Sequence, residues 1–318
     1  MGKENPRDAF QRFLSSCKGK KIAIATHSRA DVDSLASAFA ISRLLPGSVI
    51  CTSEEMGEGA RMLAEKAGIR AEDITGLDKK KFDGLIVVDT SAYTLLPEAK
   101  GWKLLCIIDH HRSEGRDMKA EFEIVDSDAP SASEIVAALL PSIDKDVAFA
   151  LCTGIIADGA RFKSARANTF TTLGRLMDIA KADYHELLEI AEPEQSQEGK
   201  IAVLTAMKRV EFIYSAGYVI ATSEVGSKES DAASLIVEAA DVAFVANWKN
   251  ETKETRISAR AGKSVKVQLN KVMSAVADEL GGAGGGHAKA AGASLKARSQ
   301  DALKACVETF IKFAEESG

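Results

Sequence analysis

Three short apolar runs in the first half of this chain each end on an acid or a histidine, and that repetition limits its fold more than any other feature. Residues 21–26 (KIAIAT) lead straight into His27-Ser28-Arg29-Ala30-Asp31-Val32-Asp33. Residues 85–89 (LIVVD) end on Asp89, and residues 104–109 (LLCIID) open into Asp109-His110-His111. Runs this short and this apolar are the mark of strands buried on both faces. Helical stretches at 34–45, stopped by Pro46-Gly47, and at 59–67 flank a further strand at 48–52. Strands alternating with helices imply crossover connections and a mostly parallel sheet. In such a sheet ligands bind beyond the carboxyl ends of the strands. The three groups are therefore expected on one edge. A fourth acid, Asp158, closes the stretch 148–157, which is so apolar that it reads as a buried helix.

Each residue taken alone has a plainer reading. An Asp at a strand end often caps a helix or makes a turn, and Asp33, Asp89 and Asp158-Gly159 all permit that. His110-His111 alone reads as a buried histidine beside a surface one. The joint pattern argues otherwise, because three of the chain's five histidines fall in these motifs. Carboxylates gathered in one crevice repel one another, and cations are the natural remedy. Oxygen-rich sites with imidazole suit manganese or a related divalent ion. A carboxylate bridging two ions about 3.5–4 Å apart is the recurring arrangement for phosphoryl transfer.

From residue 133 to about 214 the pattern is almost wholly helical. The polar stretch 192–200, with Pro193, marks a boundary, and 201–214 reads as a connecting helix. Strands at 218–222, 242–247 and 256–261 and helices at 230–240, 265–280 and 300–316 then predict a smaller α/β domain with a mixed sheet. The expected organisation is a first domain at 1–191, a linker with its helix at 192–215, and a second domain at 216–318. Between its last two helices lies Gly281-Gly282-Ala283-Gly284-Gly285-Gly286-His287. Such a run reads as a loop whose backbone amides approach an anion closely. The plainer reading is a flexible linker, against which the apolar residues 288–293 speak. The stretch 249–271 is basic, with Arg256 and Arg260 among seven cations against Glu251 and Glu254. It is a solvated face or a phosphate-binding one.

The ordered set His-x-x-x-Asp-x-Asp, a strand-terminal Asp, Asp-His-His and a later Asp resembles the four motifs of the DHH phosphoesterase superfamily. That superfamily includes RecJ-type exonucleases, NrnA-type oligoribonucleases, cyclic-dinucleotide phosphodiesterases and family II pyrophosphatases. The glycine run resembles the Gly-Gly-Gly-His signature of the DHH-associated domain, which family II pyrophosphatases lack. The resemblance implies that His27 and Asp31 bind one divalent ion, that Asp33, His110 and Asp158 bind a second, and that Asp89 bridges them. Manganese is the expected ion, with magnesium or cobalt as alternatives. It also implies a catalytic pair, with His111 facing the scissile phosphate and Asp109 holding a histidine in place. Arg260, Gly284, Gly285, Gly286 and His287 would hold the substrate. Ala30 and Val32 depart from the proline and small residue common in relatives, and Arg112-Ser113 stand where many oligoribonucleases have Asn. These changes leave the implied ligands intact.

The function implied is a metal-dependent phosphodiesterase or exonuclease acting on short single-stranded RNA or DNA through an activated water. A small-nucleotide phosphatase or phosphodiesterase, acting on 3′-phosphoadenosine 5′-phosphate or on linear or cyclic dinucleotides, is the alternative. A non-catalytic replication-associated binding module is the third reading. The net charge of −5 speaks against a duplex binder, which relies on a strongly basic domain. Expected partners are the nucleic acid or nucleotide substrate, with a second copy of the chain and replication proteins as further candidates. No apolar run nears the roughly 20 residues of a membrane span, and residues 1–10 lack the apolar core of a secretory signal, so the expected location is cytoplasmic. Five widely spaced cysteines predict neither a disulfide framework nor a zinc ribbon.

Overall fold

The apolar runs form strands in a computed structural model that describes residues 5–111, 116–159 and 162–317. Arg112 and Ser113 lie outside the described residues. The chain divides into two units, Met1–Glu194 and Gln195–Gly318, each with its own six-stranded sheet.

In the first unit α1 (Pro6–Ser16) precedes β1 (Ile22–Ala25), α2 (Val32–Ser42), β2 (Val49–Thr52), α3 (Glu58–Ala67) and β3 (Ala71–Asp73). Then come β4 (Gly84–Val88), β5 (Leu104–Asp109), β6 (Phe122–Val125), α4 (Ala132–Leu139), α5 (Lys145–Asp158), α6 (Ala167–Ala180) and α7 (Tyr184–Ala191). The sheet order is β3-β2-β1-β4-β5-β6, with every neighbouring pair parallel. The strand sequence reverses direction between β1 and β4, and the carboxyl ends of strands at such a reversal frame a crevice. Every residue of β1, β4 and β5 is buried, as the unbroken apolar runs require. The edge strands β3 and β6 carry no such run, which is why the sequence did not announce them.

One face of this sheet is covered by helices. Ile22, Ile24, Ile86, Val88, Cys106 and Ile108 share a core with Leu35, Val136 and Leu151. The other face, with Ala25, Leu85, Val87 and Ile107, is covered by Ile74, Leu96, Trp102 and Met118, which come from turns and irregular segments. Helix α5 is apolar around its circumference and buried from Val147 to Ile156, as expected for a helix with neighbours on all sides. It delivers Asp158 at its last turn.

The second unit holds α8 (Gln197–Arg209), β7 (Glu211–Ser215), β8 (Tyr218–Glu224), α9 (Glu229–Ile236), β9 (Val242–Lys249) and β10 (Glu254–Ala261). It continues through α10 (Leu269–Leu280), β11 (Gly282–Gly286), β12 (Ala290–Leu295) and α11 (Ser299–Ser317). The order is β11-β12-β10-β9-β8-β7, and only the β8–β9 pair is parallel. Side chains of α10 and α11 cover one face, those of α8 and α9 part of the other.

Two expectations are corrected here. The connecting helix does not reach residue 214 but ends at Arg209. Phe212-Ile213-Tyr214 is β-prone and pairs with β8 through Ala216-Gly217, both left-handed (φ 49° and 81°), a two-residue hairpin turn. The glycine run is not a loop but strand β11, antiparallel to β12. A Cβ at Gly284 would collide with the Met273 carbonyl of α10, so glycine there lets the helix sit close to the strand. No described helix is long and apolar enough to cross a membrane.

Candidate metal centre

The segment after β1 is built by helix capping. The Asp31 carboxylate accepts the Ser34 amide at 2.9 Å, and the Asp31 amide donates to the Ser34 hydroxyl at 3.1 Å, which starts α2. Asp33, in the first turn of α2, is buried, and its two oxygens accept the Ala132 and Ser133 amides at 2.7 and 2.8 Å. Those amides open α4, so the helix N-terminus favours the ionised carboxylate. Gly154 of α5 makes this approach possible, because a Cβ there would strike the Ser133 hydroxyl and press within 3.0 Å of Asp33 Oδ1.

Asp89 stands at the end of β4 with φ 63°, a left-handed backbone that few residues other than glycine adopt. Its amide donates to the Ile108 carbonyl at 2.8 Å, which holds the turn. Its side chain is buried, and Oδ1 accepts no hydrogen bond. His27 Nε2 lies 3.6 Å from Asp89 Oδ2 and 3.4 Å from Asp31 Oδ2. On the opposite side His110 Nε2 lies 3.2 Å from Asp89 Oδ1 and 3.1 Å from Asp158 Oδ2. The structure thus gathers three groups whose ligand atoms lie within 4.8 Å of one another: His27, Asp31 and Asp89; Asp33, His110 and Asp158; and Asp89, His110 and His111.

The two histidines are oriented differently. His110 Nδ1 faces the Ala129 carbonyl at 3.3 Å, which favours the proton on Nδ1 and leaves the Nε2 lone pair toward the acids. His111 Nδ1 donates to Asp109 Oδ1 at 2.8 Å, and the His111 amide donates to the same oxygen at 3.0 Å. Asp109 Oδ2 accepts the Ser91 hydroxyl at 2.5 Å. Ser91 in turn accepts Arg116 Nε at 2.9 Å, and Arg116 pairs with Glu123 at 3.1 Å. Ser91 and Arg116 were not read from the sequence. No period or motif marks hydrogen bonds between residues so far apart.

The acids feel one another. Burial, with repulsion from Asp158 added, pushes the Asp33 carboxyl up to about 7, against the pull of His110. Burial, then Asp33 and Asp31, drive Asp89 well above the usual carboxylate range. Burial raises Asp158 too. Burial also works to raise Asp31, but hydrogen bonds and charge from His27 and the Ser34 contacts outweigh it and hold it at about 2. For Asp109 burial is likewise outweighed, by His111 and Ser91, and the carboxyl is lowered. The bond to Asp109 raises His111. Clustered carboxylates with an unpartnered buried oxygen and a histidine lone pair among them fit divalent cations.

In the second unit Arg260 donates to the Ser230 hydroxyl at 2.7 Å and to its own neighbour's carbonyl, Ala259, at 3.0 Å. It lines a cavity of about 570 Å³ with Arg256, Ser258, Gly284 and Gly285. Gly285 faces open space, whereas a Cβ at Gly286 would strike the Ala291 α-carbon at 2.7 Å. His287 is exposed and outside the cavity lining; its amide donates to the Ala290 carbonyl at 2.8 Å.

Residues 21–155 match the DHH family, N-terminal domain, and residues 216–316 match the DHHA1 domain. An uncharacterized protein of Methanocaldococcus jannaschii is 29% identical over 324 residues, which cover 94% of this chain and 97% of that protein. An exopolyphosphatase-related protein from Bacteroides fragilis superposes with a TM-score of 0.78 at 16% identity, over 98% of this chain and 96% of its own. CDC45 from Entamoeba histolytica superposes with a TM-score of 0.56 at 9% identity, over 95% of this chain and 98% of its own. At these identities the two structures share the fold.

Proposed function

The chain is a member of the DHH superfamily of metal-dependent phosphoesterases, with a DHHA1 domain in its second unit, and from that premise we propose that it hydrolyses phosphodiester bonds in short single-stranded RNA or DNA. The observation that carries this reading is Asp89, a buried carboxylate on a left-handed backbone, unpartnered at Oδ1 and reached by a histidine from either side. His27 and Asp31 would hold one ion, Asp33, His110 and Asp158 another, with Asp89 shared. When bound, such ions, manganese by the donor chemistry, would supply neutralisation of the phosphate charge and would lower the pKa of a water nucleophile.

The protein's own groups do the rest. Asp109 takes the Nδ1 proton of His111 in a hydrogen bond, so His111 Nε2 is free to face the substrate. From that position His111 would hand a proton to the leaving oxygen, the role of a general acid. Ser91 and Arg116 fix Asp109 and thereby the imidazole plane. In the second unit, the cavity beside Arg260 has a floor of small residues, over which a base or sugar lies flat while the guanidinium meets a phosphate. Its volume falls in the range of small-molecule sites, which also suits a mononucleotide or dinucleotide as the whole substrate.

The test is digestion of 5′-labelled single-stranded RNA and DNA ladders, from dinucleotides upward, with manganese, beside a cyclic dinucleotide and beside Asp89→Asn protein. Stepwise shortening that Asp89→Asn abolishes is the expected result. Cleavage confined to dinucleotides or the cyclic compound moves the chain to the small-nucleotide reading. No metal-dependent cleavage of any of them refutes the catalytic reading.

A further inference from the structure

The second unit leaves an apolar surface open at one end of its sheet. Helix α8 exposes Ile201 (65%), Leu204 (66%) and Met207, spaced three residues apart along one stripe. Strand β7 exposes Phe212 (72%), Ile213 and Tyr214 (74%). The pairing of β7 with β8 fixes which way each points. Phe212 lies beside Ala221, whose side chain belongs to the core shared with Ala206 of α8. Ile213 lies beside Ile220, in the core under α10 and α11. Phe212 and Tyr214 therefore rise on the face of the sheet that carries α8, with Ile213 on the reverse.

Strand β7 is also an edge. Among the described residues no strand pairs with its outer side. Edge strands are ordinarily shielded by an inward charge, proline or a bulge, because their free amides and carbonyls template further pairing. Between Phe212 and Ser215 this edge has none of these devices.

We propose that β7 and α8 form a two-fold interface with a second copy of this chain, in which the two β7 strands pair antiparallel about Ile213. The sequence of the strand suits its own reverse. An axis at Ile213 sets Ile213 against its counterpart, each Phe212 against a Tyr214, and each Glu211 against a Ser215, so no like charges meet. Aromatic cross-strand pairs of this kind are stabilising, and like charges directly opposite are destabilising. The two α8 helices then lie antiparallel on the same face, stripe to stripe. The exposed apolar side chains of α8 and of both faces of β7 together offer on the order of 800 Å² per copy, the area a standard-size interface buries on each partner. An isologous two-fold contact is the commonest oligomer geometry. This surface and the metal centre are built from different residues, and either reading stands without the other.

Sedimentation equilibrium of the full chain, followed up to about 100 micromolar, tests this with three variants. The unaltered chain is expected to be a dimer. Ile213→Glu sets two carboxylates across the axis and is expected to raise the dissociation constant at least about tenfold. Because all native cysteines are buried, an introduced thiol reports position cleanly. Under mild oxidation Ile213→Cys is expected to form a disulfide-linked dimer, because its N–H and C=O already face β8 and the two copies meet as a non-hydrogen-bonded pair with α-carbons about 4.5 Å apart, within disulfide reach. Glu211→Cys, whose two copies lie on the order of 14 Å apart in this register, stays unlinked. A monomer at every concentration, a dimer untouched by Ile213→Glu, or equal cross-linking of the two cysteine variants would overturn the proposal.

Discussion

Asp89 carries a backbone strain of about 1–3 kcal/mol for a residue other than glycine, and a buried carboxyl that ionises only against burial and the neighbouring acids. Asparagine tolerates the left-handed backbone and cannot ionise. Asp89→Asn should therefore melt higher than the unaltered protein in a chelator, yet gain nothing when manganese is added; calorimetry with and without the ion reads both. A fall in the metal-free melting temperature would mean that the carboxylate stabilises the fold by itself. The pH dependence has a definite sign. Asp33 titrates at about 7 in the folded chain against 3.8 when free, so the folded state binds the extra proton between these values. Its contribution is complete below 3.8 and is lost as pH climbs toward 7, and Asp89 acts in the same direction. Asp31, held at about 2, contributes fully above 3.8 and leaves that window unchanged. In a chelator the protein should thus be more stable at pH 5 than at pH 7, and with manganese, which competes with those protons, that slope should flatten or reverse. Ser91→Ala removes the link between Arg116 and Asp109 and should lower kcat by roughly tenfold with KM little changed, since it loosens His111 without touching substrate. Ser91 and Arg116 were illegible in the sequence, whereas His27, Asp89 and His110 stood out because strand ends punctuate them.

Among elements, α5 shows what a sequence can and cannot tell. Its uniform apolarity marked it as buried, but nothing announced that Gly154 is where it meets α4 and the Asp33 carboxylate. Gly154→Ala overpacks that contact and should cost about 1–3 kcal/mol in denaturant unfolding while weakening manganese binding. An unchanged ion affinity would separate the helix contact from the site. Central strands were legible because both of their faces are buried. Edge strands were not: β3 is short and polar, β6 half-buried, and β11 is made of alanine and glycine. The glycine run was conspicuous, but its conformation depends on the carbonyls of Met273 and Ser294 that crowd it, which no local pattern encodes.

The two units carry different chemical groups. The acids and histidines belong to the first and the Arg260 cavity to the second. Arg260→Ala should then raise KM for an oligonucleotide by roughly tenfold and leave hydrolysis of a small chromogenic phosphodiester unchanged. Equal loss on both substrates would place Arg260 in the chemistry itself.

The proposed ion ligands come from residues 27, 31, 33, 89, 110 and 158, which meet only after β1, β4, β5 and α5 have docked. A set of donors so widely separated along the chain exists late on the folding path, when most non-local contacts are already made. Bound ions would then act as a clasp closed last: refolding proceeds at the same rate with or without manganese, and the whole of its stabilisation is felt as slower unfolding.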